Sequence, residues 1–186
     1  MASSFYSREE LQELGLAGFG NNVLISKKAS IYSPSTISIG DNVRIDDFCI
    51  LSGKISLGSF IHIGAFCALF GRFGIEMCDY TGLSPRTTIF SATDDFGGDF
   101  LISPMVPDEY TNVKGGIVRI EKFVQVGAGS IILPNVTLGE GSATGSMSLV
   151  NKSLDPWIIY AGVPAKVLKT RNKGLLDKVK NIEDAR

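Results

Sequence analysis

The sequence predicts an all-β fold, a parallel β-helix built as a triangular prism, on three observations. Every sixth residue from Ile39 is aliphatic: Ile39, Ile45, Leu51, Leu57, Ile63 and Leu69. The same step from Ile120 reads Ile120, Val126, Ile132, Leu138, Thr144 and Val150. A helix repeats its apolar face near 3.6 residues and a strand alternates at 2, so a step of six marks a structural repeat. An 18-residue step lies over it. Ile37-Ser38-Ile39-Gly40 returns as Ile55-Ser56-Leu57-Gly58, and Val118-Arg119-Ile120-Glu121 returns as Val136-Thr137-Leu138-Gly139. Three hexads therefore close one coil, with one aliphatic residue pointing inward per side. Finally, 21 glycines without a Gly-X-Y period suit tight corners between short strands.

In chain order, residues 1–20 form an N-terminal helical segment. Ser7 caps a helix over residues 7–14, Glu10 completes a capping box, Leu11 and Leu14 supply an apolar side, and Gly15 ends it. The β-helix domain occupies residues 21–156. An irregular first coil runs through Ile25 and Ile31, and regular coils begin near Ile39 and Leu57. A two-residue slip at Gly71-Arg72-Phe73-Gly74 resets the frame to Met77, Leu83 and Ile89. The next inward position would be residue 95, yet the pattern resumes only at Ile120, so some 25 residues are inserted at one corner, roughly 91–116. That insertion is polar, acidic and rich in Gly and Pro; loops of this length inside a compact domain are usually functional or disordered, and its two aromatic-acidic clusters favour function. Residues 157–186 form a C-terminal cap. Asn172–Arg186 reads as a charged helix docking through Leu175, Leu176 and Val179, and such caps protect the open ends of a solenoid.

The repeat also accounts for the three cysteines. Cys49 and Cys67 follow inward Ile45 and Ile63 by four residues, in a column continued by Thr87, Ser130 and Ser148. That column demands small side chains, which reads as packing and not as metal binding or nucleophilic chemistry. Cys78 stands where Gly40 and Gly58 stand in earlier coils. With 44% apolar and 20% charged residues and a net charge of −1, the chain has a globular composition. Nothing in that balance favours nucleic acid or a membrane as partner. The start MASSFYSREELQ has no apolar leader, and no stretch is long enough to span a bilayer, so the expected location is cytoplasmic.

The hexads, the block GAGSIILPNVTLGEGSATGSMSLV and the ending AGVPAKVLK resemble the hexapeptide-repeat acyltransferases, whose fold is a left-handed parallel β-helix. The resemblance spans roughly residues 20–170. The ending and the corner insertion narrow it to the branch of maltose, galactoside and xenobiotic acetyltransferases. The SATDDF…VPDEYTNV insertion is similar to that of nucleotide amino-sugar N-acetyltransferases of surface-polysaccharide assembly. This resemblance implies a homotrimer with each active site between two prisms. It also implies acetyl-CoA, lying along the groove, as acyl donor. Left-handed crossovers oppose the usual right-handed rule, so handedness rests on the resemblance.

Acyl transfer from a thioester needs a positioned acceptor, a destination for its proton and donors for the oxyanion. In the resembled branch a catalytic His opens the insertion. Here Phe90-Ser91-Ala92-Thr93-Asp94-Asp95 sets Asp94 at that position. An ionised aspartate, with an ordinary pKa of ~3.9, is a poor base for a sugar hydroxyl. It suits an amino sugar, whose ammonium it holds and whose amine is already nucleophilic. The single histidine, His62, precedes inward Ile63 and so faces outward, in a column with Arg44, Gly82, Gln125 and Ala143. Gly82 is expected to leave open space beside it. An ordinary imidazole, with pKa ~6.5, works as a base near neutrality. Asp94 and His62 are thus the catalytic candidates, against the plainer readings of an acidic turn before Gly97-Gly98 and a surface or trimer contact. Asp95, Glu109, Tyr110 and Asn112 are candidate sugar or nucleotide contacts, though a turn around Pro107-Asp108 accounts for some of them.

For the donor, the resemblance implies Ala128 and Ser146 on the pantetheine-lining column, through their backbone amides. Asn151 takes the place of a Thr in related enzymes, and Lys166 and Lys169 match basic residues that meet the coenzyme A phosphates. No cluster has metal-ligand spacing. Three functions follow. The first is N-acetylation of a nucleotide-linked amino sugar, the second O-acetylation of a galactoside or polysaccharide hydroxyl with His62 as base. The third is a non-catalytic trimeric assembly subunit. Carbonic anhydrases of similar fold need three histidines, and one per chain does not supply them.

Overall fold

The computed structural model describes residues 4–184. Its strands run in three parallel walls. Val23–Ile25, Val43–Ile45, Ile61–Ile63, Gly82–Leu83, Gln125–Val126, Ala143–Thr144 and Ile158–Ala161 stack in register to form one wall. We call it the second wall. The first wall carries Ile37–Ile39 and Val118–Ile120, and the third carries Thr88–Phe90 and Ile131–Ile132. Two long strands, Ile50–Leu57 and Ala68–Met77, bend round the corner between the third and first walls and belong to both. The pairing distances follow the predicted arithmetic. Ile37 pairs with Ile55, while Ile55 pairs with Ile75 across the two-residue slip, and the register shifts there. Gly82 pairs with Gln125, one coil plus the insertion further on.

Every hexad position points inward. Ile45, Ile63, Leu69, Ile89, Ile132, Leu138 and Val150 are wholly buried, and even the polar member Thr144 is 7% exposed. Burial of each such aliphatic side chain contributes about 1.5–3 kcal/mol, so the prism is held by a continuous aliphatic axis. The small-residue column is equally buried, at Cys49, Cys67, Thr87, Ser130 and Ser148. Cys49 Sγ donates to the Gly64 carbonyl at 3.1 Å and Cys67 Sγ to that of Ser84 at 3.2 Å. The neighbouring Cys49 and burial push the Cys67 thiol up, and burial with Glu121 nearby pushes up Cys78. Neither is poised as a thiolate.

The corners hold residues in the left-handed region. One edge stacks Asn22, Asn42, Phe60, Tyr80, Phe123 and Trp157, all with φ between 52° and 66°. A bulky residue there costs roughly 1–2 kcal/mol. Stacking offsets it: Phe60 and Tyr80 rings lie 4.6 Å apart at 3°, Tyr80 and Phe123 at 5.6 Å, and Asn22 donates to Asn42 at 2.8 Å.

The N-terminal helix, α1, spans Arg8–Glu13 with Ser7 as cap and the full Ser7–Glu10 capping box. Leu11 is buried and Gly15 follows with φ 71°. The C-terminal helix, α2, spans Leu175–Asp184 with Leu175, Leu176 and Val179 half-buried, and residues 185 and 186 of the expected helix lie outside the described residues. The prism is longer than the boundaries 21 and 156 suggested. Gly18–Phe19 already pairs with Ser38–Ile39, and Ile158–Ala161 continues the second wall. An unforeseen strand, Lys166–Thr170, returns antiparallel to it, because its side chains lack the inward hexad signature. Arg171 closes this end: half-buried, its Nη1 donates to the carbonyls of Phe123, Gly141 and Ser142 at 2.7, 3.0 and 3.1 Å.

Candidate active site

Alternation on the second wall turns Arg44 and His62 outward, flanked by buried Val43, Ile45, Ile61 and Ile63. Asp46, the first residue beyond its strand, binds both. Its Oδ1 accepts from Arg44 Nε at 2.7 Å and its Oδ2 lies 2.8 Å from His62 Nε2. Burial alone would raise the Asp46 carboxyl, but hydrogen bonds and charge from Arg44 and His62 outweigh it and hold it below the usual carboxylate range. Arg44 and His62 wall a groove of about 690 Å³ that also reaches Asn42, Tyr80, Ser84 and Gln125. The expected open space over Gly82 is in part filled. A Cβ on Gly82 would meet Gln125 Oε1 at 2.5 Å, so the Gln125 amide lies over this glycine and forms the groove floor.

The edge between the second and third walls carries a second axial feature. Backbone amides of Asp46, Gly64, Ser84 and Gly127 donate in turn to the carbonyls of Ile63, Leu83, Val126 and Thr144. Asp46, Gly64, Ser84, Gly127 and Gly145 therefore form one column of successive coils. Gly127 is required by closeness, since a Cβ there would lie 2.5 Å from the Gly145 carbonyl carbon. One residue further, Ala128 and Ser146 occupy successive coils as expected, with the Met147 amide donating to the Ala128 carbonyl at 2.8 Å. Beyond them, Asn151 and Lys166 share a cleft of about 290 Å³ with Tyr160. Lys169 does not line that cleft; it is opposite Ile159 on the antiparallel strand.

The insertion leaves the third wall as a two-stranded ribbon, Ala92–Thr93 against Lys114–Gly115. Asp94 follows it and lines two cavities of opposite character. One, about 270 Å³, has a mixed lining and brings Asp94 together with the polar side chains of Arg72, Ser103, Asp108 and Thr111. The other, about 250 Å³, is walled by Phe90, Phe96, Leu133 and Pro134. Asp95 is spent on the turn, its Oδ1 accepting from the Gly97 amide at 2.9 Å. Glu109, Tyr110 and Asn112 do not line either cavity; Glu109 and Tyr110 belong to the short 3-10 helix Asp108–Tyr110. The aperiodic loop carries no sequence signal for which side chains turn inward, so Arg72, Asp108 and Thr111 were missed. Asp46 and Ser84 were legible in principle, as they directly follow inward Ile45 and Leu83. Within one chain His62 lines the second-wall groove and Asp94 the two cavities of the insertion.

Among the described residues, no group of three or more His, Cys, Asp or Glu side chains is placed to hold a metal. No described helix is long and apolar enough to cross a membrane.

No family model matches the chain. It is 42% identical over 171 residues to the dTDP-4-amino-4,6-dideoxy-D-glucose acyltransferase of Escherichia coli, covering 90% of this chain and 89% of that one. The crystal structure of AntD, an N-acyltransferase from Bacillus cereus, with dTDP and 3-hydroxybutyryl-CoA superposes with a TM-score of 0.96 at 52% identity, covering 99% and 98% of the two chains. Its S84C variant with dTDP-4-amino-4,6-dideoxyglucose and coenzyme A gives 0.97 at 51% identity over both chains in full. The parallel coils, the corner insertion and likeness along nearly the whole length together mean that this chain belongs to the hexapeptide-repeat acyltransferases.

Proposed function

We propose that the protein transfers an acyl group from acyl-CoA, acetyl-CoA in the simplest case, to the amine of a dTDP-linked amino sugar. The observation that carries this reading is Asp94. It stands where the resembled branch has its catalytic His, at the start of the insertion, and the AntD structures include D94N and D94A variants with dTDP and coenzyme A bound. Others carry S84T, S84C and S84A. The present chain has serine at 84 and aspartate at 94.

In this reaction the Asp94 carboxylate holds the substrate ammonium and takes one of its protons. The freed amine attacks the thioester carbonyl, a C–N bond forms and the C–S bond breaks. As the adduct collapses, nitrogen loses a second proton, which passes to the departing coenzyme A thiolate, and Asp94 releases the first to solvent. Backbone amides of the Ala128–Ser146 column line the donor path, and Lys166 with Asn151 meets its phosphates. Ser84 lies on the edge between the second and third walls and Asp94 in the insertion at the far end of the third wall, so a homotrimer in which one copy's insertion covers its neighbour's second wall completes the site. The reading takes the enzyme to act in the cytoplasm, where acyl-CoA and nucleotide sugars are made, with its product used in surface-polysaccharide synthesis.

One observation favours a second reading. The His62–Asp46 pair has the form of an oriented general base, which would suit O-acetylation of a galactoside or polysaccharide hydroxyl. Thiol release from acetyl-CoA separates the two. Turnover with dTDP-4-amino-4,6-dideoxyglucose, but not with galactosides or maltose, is expected. Turnover with hydroxyl acceptors alone would overturn N-acylation.

A further inference from the structure

Resting on the acceptor class just proposed, we infer that Arg44 and His62, both anchored on Asp46, form the subsite for the diphosphate of the nucleotide sugar. His62 is then a binding residue and not the base.

Axial order supplies the first ground. Ser84, Gly127 and Gly145 follow one another along one edge, with Ala128 and Ser146 beside the latter two. With the donor placed along this column, as proposed above, its path runs from the coil of Ser84 toward the C-terminal end and Lys166. Arg44 and His62 occupy the two coils on the other side of Ser84, in register with Gly82. A donor extending one way from the reacting centre leaves the opposite way for the acceptor's nucleotide. The groove that begins at Ser84 follows that direction as far as Asn42 and Arg44. Its volume of about 690 Å³ is within the span of ligand clefts, roughly 300–1,000 Å³. A hexose alone would leave the Arg44 end empty.

Charge supplies the second ground. One carboxylate is shared between two basic side chains, Arg44 and His62. The first wall balances its outward pair one to one, Arg119 with Glu76 at 3.0 Å. Asp46 engages Arg44 through Nε and His62 through Nε2. The Arg44 Nη groups and His62 Nδ1 are not committed to that carboxylate. Both side chains are more than half exposed, 55% and 58%, whereas Asp46 is 20% exposed beneath them. The Arg44 guanidinium also lies over the Phe5 ring, 5.3 Å from its centroid. An exposed guanidinium beside an imidazole ring is a donor set matched to phosphate oxygens. On the donor side the phosphate contacts fall to Lys166, several coils away, so this cluster serves a different anion.

Calorimetric binding to the full-length protein tests the assignment, with dTDP and thymidine as probes and coenzyme A as control. Arg44→Gln and His62→Gln should each weaken dTDP at least fivefold while thymidine and coenzyme A affinities hold. Asp46→Asn should weaken dTDP by loosening both. In turnover, the two Gln variants should raise KM for the nucleotide sugar at least tenfold with kcat within about threefold. Unchanged dTDP affinity in both would overturn the subsite. So would a His62→Gln variant that loses kcat while binding dTDP normally, since His62 would then be the base. Failure of the wild type to acylate any nucleotide amino sugar, with dTDP still bound and lost in Arg44→Gln, would sink the proposed reaction and leave the subsite standing.

Discussion

Asp46 Oδ2 lies 2.8 Å from His62 Nε2, while Asp46 Oδ1 accepts from Arg44 Nε at 2.7 Å, so one carboxylate organises both outward groups of the second wall. Its pKa is depressed in the fold. A depressed carboxyl contributes stability that is fully present above its unfolded value, near ~3.9, and is lost as pH falls through the lower folded value. Between pH 5 and pH 2, the wild-type melting temperature should therefore fall further than that of Asp46→Asn. Equal falls, followed by circular dichroism, would remove the pair from the stability account.

Asp94 is exposed to two cavities, and neither uses it to hold the fold. Asp94→Ala and Asp94→Asn should lower kcat with a nucleotide amino sugar by about 10²–10⁴, the range for losing a positioned proton acceptor. Their melting temperatures should stay within a degree or two of wild type. A variant retaining full kcat would transfer the role to another group.

The left-handed edge makes a different prediction. Phe123 sits between Tyr80 and Trp157, at 5.6 and 6.2 Å, with φ 66°. Phe123→Ala removes two ring contacts worth about 0.5–1.5 kcal/mol each but keeps the unfavourable backbone. Phe123→Gly removes the same rings and relieves the backbone. Urea unfolding should rank wild type above Gly, and Gly above Ala. If Ala equals wild type, stacking does not hold this edge.

Arg171 gives the C-terminal end its cohesion by filling three carbonyls from one nitrogen. Arg171→Met would take this donor from the Phe123 and Gly141 carbonyls at a half-buried position, while Ser142 keeps the Gln125 amide, at a cost of about 1–3 kcal/mol. Hydrogen exchange should then accelerate at Gly141, Ser142 and the 157–170 strands, with little change near Ile39 and Ile45. Uniform acceleration would mean that the whole prism, and not its end, depends on this arginine.

What was legible in the sequence was whatever the repeat made periodic. Ile39 through Leu69 and Ile120 through Val150 had to point inward, because a hexad leaves one buried position per side and only aliphatic side chains gain from it. The two-residue slip, the 25-residue insertion and the small-residue column of Cys49 and Cys67 were departures from that frame and could be counted along it. The α1 cap was local, carried by Ser7 and Glu10 three residues apart. The tertiary structure decided everything that depends on residues meeting across unequal stretches of chain. Asp46 meets His62 from a neighbouring coil, and Arg171 reaches carbonyls at Phe123, Gly141 and Ser142. Inside the aperiodic insertion, Asp108 and Thr111 turn toward Asp94 while Asp95, Glu109, Tyr110 and Asn112 do not. Burial selects residue types at repeated positions and so writes itself into a sequence. The direction of a polar side chain in a loop depends on the surfaces around it, and those exist only once the coils have closed.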